Sequence, residues 1–248
     1  MNKFFVDENQ IIENEIIIEN EDVNHIRNVL RLNINEEIII CNKNNQNNYV
    51  CTINEILKDK IVCGIKEKIN FNPESNVKID IFQGLPKADK MEFIIQKGTE
   101  LGVNSFIPVK FNRTVVKIND EKTENKKILR WQKIAEVAAK QSGRNIIPKV
   151  ESIKNIQNIC KLFSEYDIVL VAYELEKETN LKSVLKNLSK KNLKIAVVIG
   201  PEGGIEEKEI ELFKNSGAKI ITLGKRILRT ETASIAIVSN INYELEIN

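Results

Sequence analysis

KIAVVIGPEGGIEEKEI (194–210) and AKIITLGKRILRTETAS (218–234) decide how this chain is read. In each, an apolar run of parallel-strand type ends in glycine and a helix-forming segment follows. In an open α/β sheet, ligands bind beyond the carboxyl ends of strands. Gly200, Gly203, Gly204 and Gly224 would permit close backbone approach and positive φ at such a place. Taken singly, glycine-bounded βα turns serve turn geometry as readily as a ligand. GPEGG is neither GxGxxG nor the P-loop, so neither nucleotide fingerprint applies. Read together as one string, the two turns are far more specific than either alone.

Working outward, DIVLVAY (167–173) is a third strand of the same apolar type, and VKIDIFQ (77–83) and NSFIPVK (104–110) read as two more. Between them, KADKMEFIIQKGTELG (87–102) and NKKILRWQKIAEVAAKQSG (125–143) are amphipathic helices stopped by Gly102 and Gly143. A helix from about Glu231 to Tyr243 closes the set. Strands alternating with helices predict a parallel α/β sheet. Residues 11–70 have another rhythm: IIENEIIIE, EEIIICN, NYVCTINEI and KIVCGIKEKI are short β segments at close spacing, as in a small barrel or sandwich. One helix, DVNHIRNVLRL (22–32), interrupts them, with Ile26, Val29 and Leu30 as its apolar stripe and Arg27 and Arg31 together on its polar side. FNPESN (71–76) marks the boundary, giving domains 1–72 and 73–248.

Among the 248 residues, Lys and Arg number 37 and Asp and Glu 35, a net charge of +2 that is unevenly spread. Residues 1–76 hold 8 Lys/Arg against 13 Asp/Glu, so the first part would meet a polyanion only through a local patch. The remainder is basic. No run approaches the roughly 20 apolar residues that span a bilayer, and MNKFFVDENQ has no apolar core of signal-peptide length, so a cytoplasmic protein without membrane contact is expected. Cys41, Cys51, Cys63 and Cys160 form no CxxC pair and His25 is the single histidine, so no metal site is expected. Three of the cysteines read as small buried hydrophobes.

IGPEGGIEEKEI followed by TLGKRILRTETA resembles the cofactor-binding half of the SPOUT methyltransferases, and in particular the RsmE family, which methylates uracil N3 in small-subunit (16S) ribosomal RNA. KMEFIIQKGTELGV (90–103), FNRTVVK (111–117) and RWQKIAEVAAKQSGRNIIP (130–148) are similar to further stretches of that family. KFFV and HIRNVLRL resemble its N-terminal PUA-like domain. Ala88 stands where the family has glycine, Lys140 where it has glutamate and Lys3 where it has arginine. The resemblance implies a PUA-like β-barrel before a trefoil-knotted parallel sheet, a topology that general rules treat as nearly absent. It also implies a homodimer, S-adenosylmethionine as cofactor, 16S rRNA in the small ribosomal subunit as partner, and an RNA site built across the subunit interface.

On that resemblance, backbone around Ile199, Gly200, Glu202, Gly203 and Gly204 would hold the cofactor. Leu223, Gly224, Leu228 and Thr232 would complete its site. Uracil N3 is a poor nucleophile until its proton leaves, so a catalyst needs donors aimed at the developing oxyanion. Arg229 is the candidate for that task, because a guanidinium is planar and permanently charged; a salt bridge or carbonyl contact inside the knot is its plainer alternative. Glu231 would accept a proton or orient Arg229, or else serve only as an acid in the first turn of a helix. Lys3, His25, Arg27 and Arg31 would form an RNA-facing patch. Arg113 and Arg144 would hold phosphates or complete a partner subunit's site. Trp131 reads as core or dimer contact. Other SPOUT specificities, ribose 2′-O or guanine N1, and a non-catalytic RNA-binding assembly factor are the competing functions.

Overall fold

The computed structural model describes residues 1–118, 120–188 and 192–246. Contacts divide the chain into Met1–Glu74 with Ala139–Ile146, and Ser75–Ala138 with Ile147–Asn248.

In the first unit, short runs rich in isoleucine, valine and phenylalanine form β1 (Lys3–Val6), β2 (Ile11–Ile12), β3 (Glu15–Glu19), β4 (Glu37–Asn42), β5 (Asn48–Ile56) and β6 (Lys60–Ile69). They pair in the order β1-β4-β5-β6-β3-β2, antiparallel except for β1 with β4. The two-residue period sends Ile16, Ile18, Ile38, Ile40, Ile53 and Ile61 to one sealed core. Register shifts in the β5–β6 pair, at Val50/Cys51 and Ile53/Glu55, bend the sheet around that core. Cys41, Cys51 and Cys63 are buried as expected. Burial pushes the Cys51 and Cys63 thiols each up to about 12.

The helix expected over 22–32 is only partly regular. Four residues, α1 (Glu21–Asn24), open into a π turn over His25–Leu30, which Arg31 ends in the left-handed conformation at φ 53°. The wider turn takes side chains off the 3.6-residue period. Ile26 is therefore fully buried while Val29, expected beside it, is 62% exposed.

The second unit carries β7 (Lys78–Gly84), α2 (Lys90–Glu100), β8 (Ser105–Lys110), α3 (Glu121–Gln141), β9 (Lys149–Val150), β10 (Lys154–Asn155), α4 (Ile156–Leu162), β11 (Ile168–Ala172), α5 (Leu181–Leu185), β12 (Lys194–Ile199), α6 (Glu207–Asn215), β13 (Lys219–Ile221) and α7 (Thr230–Leu245). The last residues of α3, from Ala139, lie in the first unit. The sheet is wholly parallel, in the order β10-β8-β7-β12-β11-β13, with β9 beside β8. Successive strand residues feed opposite cores: Ile81, Leu170 and Val197 join one apolar cluster, Phe82, Val171 and Val198 the other. That two-sided burial is why these strands read as unbroken apolar runs. Trp131 is core, 5% exposed. The helix expected from Asn125 starts a turn earlier, because the Asp120 carboxylate accepts the Thr123 N–H at 2.8 Å and caps it. Among the described residues, no helix is long and apolar enough to cross a membrane.

Candidate functional site

The two glycine turns belong to strands that are not neighbours, since β11 lies between β12 and β13. Because all three are parallel, their carboxyl ends open on the same side. There Gly200–Gly204, Ala172–Glu174 and Thr222–Thr230 surround one cavity of about 500 Å³. Gly224, at φ 119°, has nothing within 4 Å of where a Cβ would stand, so bare backbone faces open space. Opposite, Gly84 is packed so closely that a Cβ would lie 2.5 Å from the Pro201 nitrogen. A side chain there would push the turn after β12 off the end of β7.

A buried polar network fixes the start of α7 to these strand ends. Gln83 Nε2 donates to Thr230 Oγ1 (2.8 Å), Thr230 Oγ1 donates to the Gly200 carbonyl (2.7 Å), and Ser234 Oγ donates to Gln83 Oε1 (2.5 Å). Gln83 and Ser234 are fully buried, so each partner satisfies a group that water cannot reach.

Charged groups gather on one side of the cavity. Lys90 Nζ lies 3.0 Å from Glu202 Oε1 and 3.3 Å from Glu231 Oε2. The second contact is an ion pair without hydrogen-bond alignment, and that Glu231 oxygen is closed to solvent. Glu202 Oε1 also accepts the Lys87 N–H at 3.0 Å. Burial raises the Glu202 carboxyl, but backbone N–H groups and the Lys90 ammonium outweigh it and hold it below the usual carboxylate range. Lys90 is raised in turn, chiefly by its hydrogen bond to Glu202. Arg229 is the N-cap residue of α7 and lines the cavity with its side chain exposed. Glu231 is thus paired with Lys90 rather than with Arg229.

Of the residues expected to hold a cofactor, Ile199, Gly200, Glu202, Gly203, Gly204, Leu223, Gly224 and Leu228 all line this cavity. Thr232 does not: it is exposed on α7, while Thr230 two residues earlier turns inward. Arg113 braces the same turn from behind, donating to the Gly203 carbonyl at 3.3 Å. Tyr173, Glu174, Lys90 and Thr230 were not anticipated. The apolar run before Tyr173 was the available signal, since the strand-end rule applies to β11 as it does to β12.

Two residues expected to face RNA are engaged inside the first unit. The Lys3 ammonium is buried, donating to the Gly143 carbonyl at 3.1 Å and to Asn145 Oδ1 at 2.5 Å. Burial lowers its pKa against the opposing pull of Cys41 and Glu74. Arg144, 5% exposed, grips Glu74 through Nη2 at 2.6 Å and Nε at 3.1 Å. A cation desolvated on an internal partner is not presented to phosphate, so both are corrected to structural pairs. His25, Arg27 and Arg31 are exposed. Arg27 is partly committed, donating to the Lys58 carbonyl at 3.0 Å.

With this geometry in view, comparison with known proteins is specific. Residues 73–242 match the RNA methyltransferase domain and residues 18–66 the RNA methyltransferase PUA domain. The chain is 40% identical to the ribosomal RNA small subunit methyltransferase E of Bacillus subtilis (strain 168), over 93% of this chain and 90% of that protein. It is 34% identical to the Mesomycoplasma hyopneumoniae (strain 232) protein of the same name, over 96% and 98%. A crystal structure of the Neisseria gonorrhoeae ribosomal RNA small subunit methyltransferase E, bound to S-adenosyl methionine, superposes with TM-score 0.87 at 29% identity, covering 99% of this chain and 98% of that one. A Legionella pneumophila methyltransferase structure with bound cofactor SAM gives TM-score 0.88 at 27% identity, over 99% and 98%. The expected α/β methyltransferase domain behind a PUA domain stands on this agreement of family models and solved structures. By both domain matches and by identity along nearly its whole length, the chain belongs to the ribosomal RNA small subunit methyltransferase E family.

Proposed function

We propose that this chain transfers the methyl group of S-adenosylmethionine to N3 of a uridine in 16S ribosomal RNA. The observation that carries the reading is the single cavity formed by the Gly200 and Gly224 turns, with Arg229 beside it. Its size lies within the range of small-molecule sites. Ile199, Leu223 and Leu228 offer apolar contact for an adenine, and the bare backbone at Gly224 leaves room that a Cβ would fill, so the residues present fit the cofactor. When bound, that cofactor supplies an electrophilic methyl group.

The chain's own part is to bind, orient and stabilise. Backbone of the two turns holds the donor, and the Gln83–Thr230–Gly200 network keeps the walls in place. A guanidinium is a planar cationic donor; that of Arg229, exposed and without an ion pair among the described residues, donates to the uracil oxygen as N3 gives its proton to water. Residues 1–72 act as the RNA-binding domain, with His25, Arg27 and Arg31 toward the backbone, and residues 73–248 as the methyl-transferring domain. Two copies assemble, with Arg113 near the second copy's substrate.

Incubation with labelled S-adenosylmethionine and small ribosomal subunits lacking base methylation, followed by nucleoside analysis, tests the reading. 3-Methyluridine is the expected product. A 2′-O-methyl nucleoside or 1-methylguanosine would replace the proposed target, and absence of cofactor binding would remove catalysis altogether.

A further inference from the structure

The segment Lys87–Lys90 departs from what a helix start favours. Lys90 opens α2, at the end of the helix dipole where a cation is disfavoured. Two residues earlier, Ala88 holds φ 55°, a left-handed conformation that an L-residue keeps only when its surroundings fix it. Both oddities have the same outcome. They bring the Lys87 N–H and the Lys90 ammonium to one oxygen, Glu202 Oε1, each at 3.0 Å. The ammonium also reaches Glu231 Oε2 at 3.3 Å. Glu202 belongs to the turn after β12 and Glu231 to the first turn of α7, so one nitrogen joins two walls of the cavity.

We infer that Lys90 is a positioning residue: it clamps the Glu202 turn to the start of α7 and thereby sets the width of the cavity and the aim of Arg229. The inference rests on reading that cavity as the methyl-donor site. Lys90 touches no reacting atom in this scheme. Its work is to keep two carboxylates together that would otherwise repel, and Arg229, the residue that caps α7, moves with that helix. Local rules broken at helix and backbone level, with compensation only in a distant pair of acids, are what a site imposes on its scaffold.

The test compares wild type, Lys90→Met, Lys90→Arg, Glu202→Gln and the double variant Lys90→Met/Glu202→Gln. S-adenosylmethionine affinity is measured by calorimetry, methyl transfer by single turnover, and folding by urea titration. Lys90→Met is expected to weaken donor binding about tenfold and to slow transfer by about a further tenfold, since one partner of a charge cluster is lost and the others stay. Lys90→Arg recovers most of both. The double variant binds the donor within about threefold of Glu202→Gln alone, the non-additivity that marks a direct coupling. A residue that only supported the fold would shift the urea midpoint and show additive losses. Wild-type donor affinity in Lys90→Met overturns the clamp, and so does a tenfold gap between the double variant and Glu202→Gln. If Lys90→Met does not fold, Glu202→Gln decides alone: wild-type donor affinity and transfer in it overturn the clamp. Failure of the wild-type chain itself to bind S-adenosylmethionine would strike the donor-site reading instead.

Discussion

Arg229 occupies a position that chain energetics would give to another residue. Helix N-caps favour Ser, Thr, Asp or Asn, and the dipole there repels a cation. Arg229→Ala is therefore expected to leave S-adenosylmethionine affinity within about twofold while transfer falls roughly 10²–10³-fold, the scale of losing one oxyanion donor. Calorimetry beside a radiolabel transfer assay checks it, and unchanged turnover would take Arg229 out of the mechanism. Ala88 makes a second prediction: Ala88→Gly should stabilise the fold by about 1 kcal/mol, read as a higher urea midpoint at constant slope, because the left-handed penalty disappears. At this scale the sequence disclosed the glycines and Arg229 through their place at strand ends. It concealed Lys90, whose partners lie more than a hundred residues away, and it misjudged Lys3 and Arg144, because no local pattern says that a cation will be met by Gly143, Asn145 or Glu74 inside the fold.

Among elements, α7 is held by few but well-satisfied polar contacts. Gln83→Ala would remove two hydrogen bonds from a dry interior, leaving the Thr230 and Ser234 hydroxyls only the Gly200 and Thr230 carbonyls as partners; it should cost about 1–3 kcal/mol, and donor affinity should fall with it. Thermal unfolding with and without S-adenosylmethionine separates the two effects. The π turn after α1 carries the patch proposed to meet RNA. Arg27→Ala combined with Arg31→Ala is expected to weaken binding and to reduce the salt slope by about 1–2. An unaltered slope would show that this patch does not meet phosphate. The strands of the parallel sheet were readable because burial on two faces leaves little room for polar residues, Asp80 and Gln83 of β7 being buried exceptions. The π turn was not, since Val29 and Leu30 satisfy a regular helical stripe in sequence, and only packing reveals that one of them is turned out.

At the scale of the whole molecule, the buried thiols make the first unit sensitive to alkaline pH. An unfolded chain ionises Cys51 and Cys63 above their usual 9, whereas the folded core keeps both neutral up to about 12. Folded pKa values above the unfolded ones mean a contribution that is complete below pH 9 and lost as pH rises toward 12. The first unit should therefore open in that window, with Cys51 and Cys63 becoming reactive to iodoacetamide together with the loss of its sheet. Labelling at pH 8 without unfolding would contradict this. Strand order has the wider consequence. Since β11 separates the two strands that bear the glycine turns, and α7 completes the enclosure, the pocket draws on residues 172–174, 199–204, 222–230 and Ala233 together. A polypeptide still emerging from the ribosome, with residues 222–233 hidden in the exit tunnel, has nowhere to lodge a methyl donor. Newly made protein thus stays chemically mute until that stretch has cleared the tunnel.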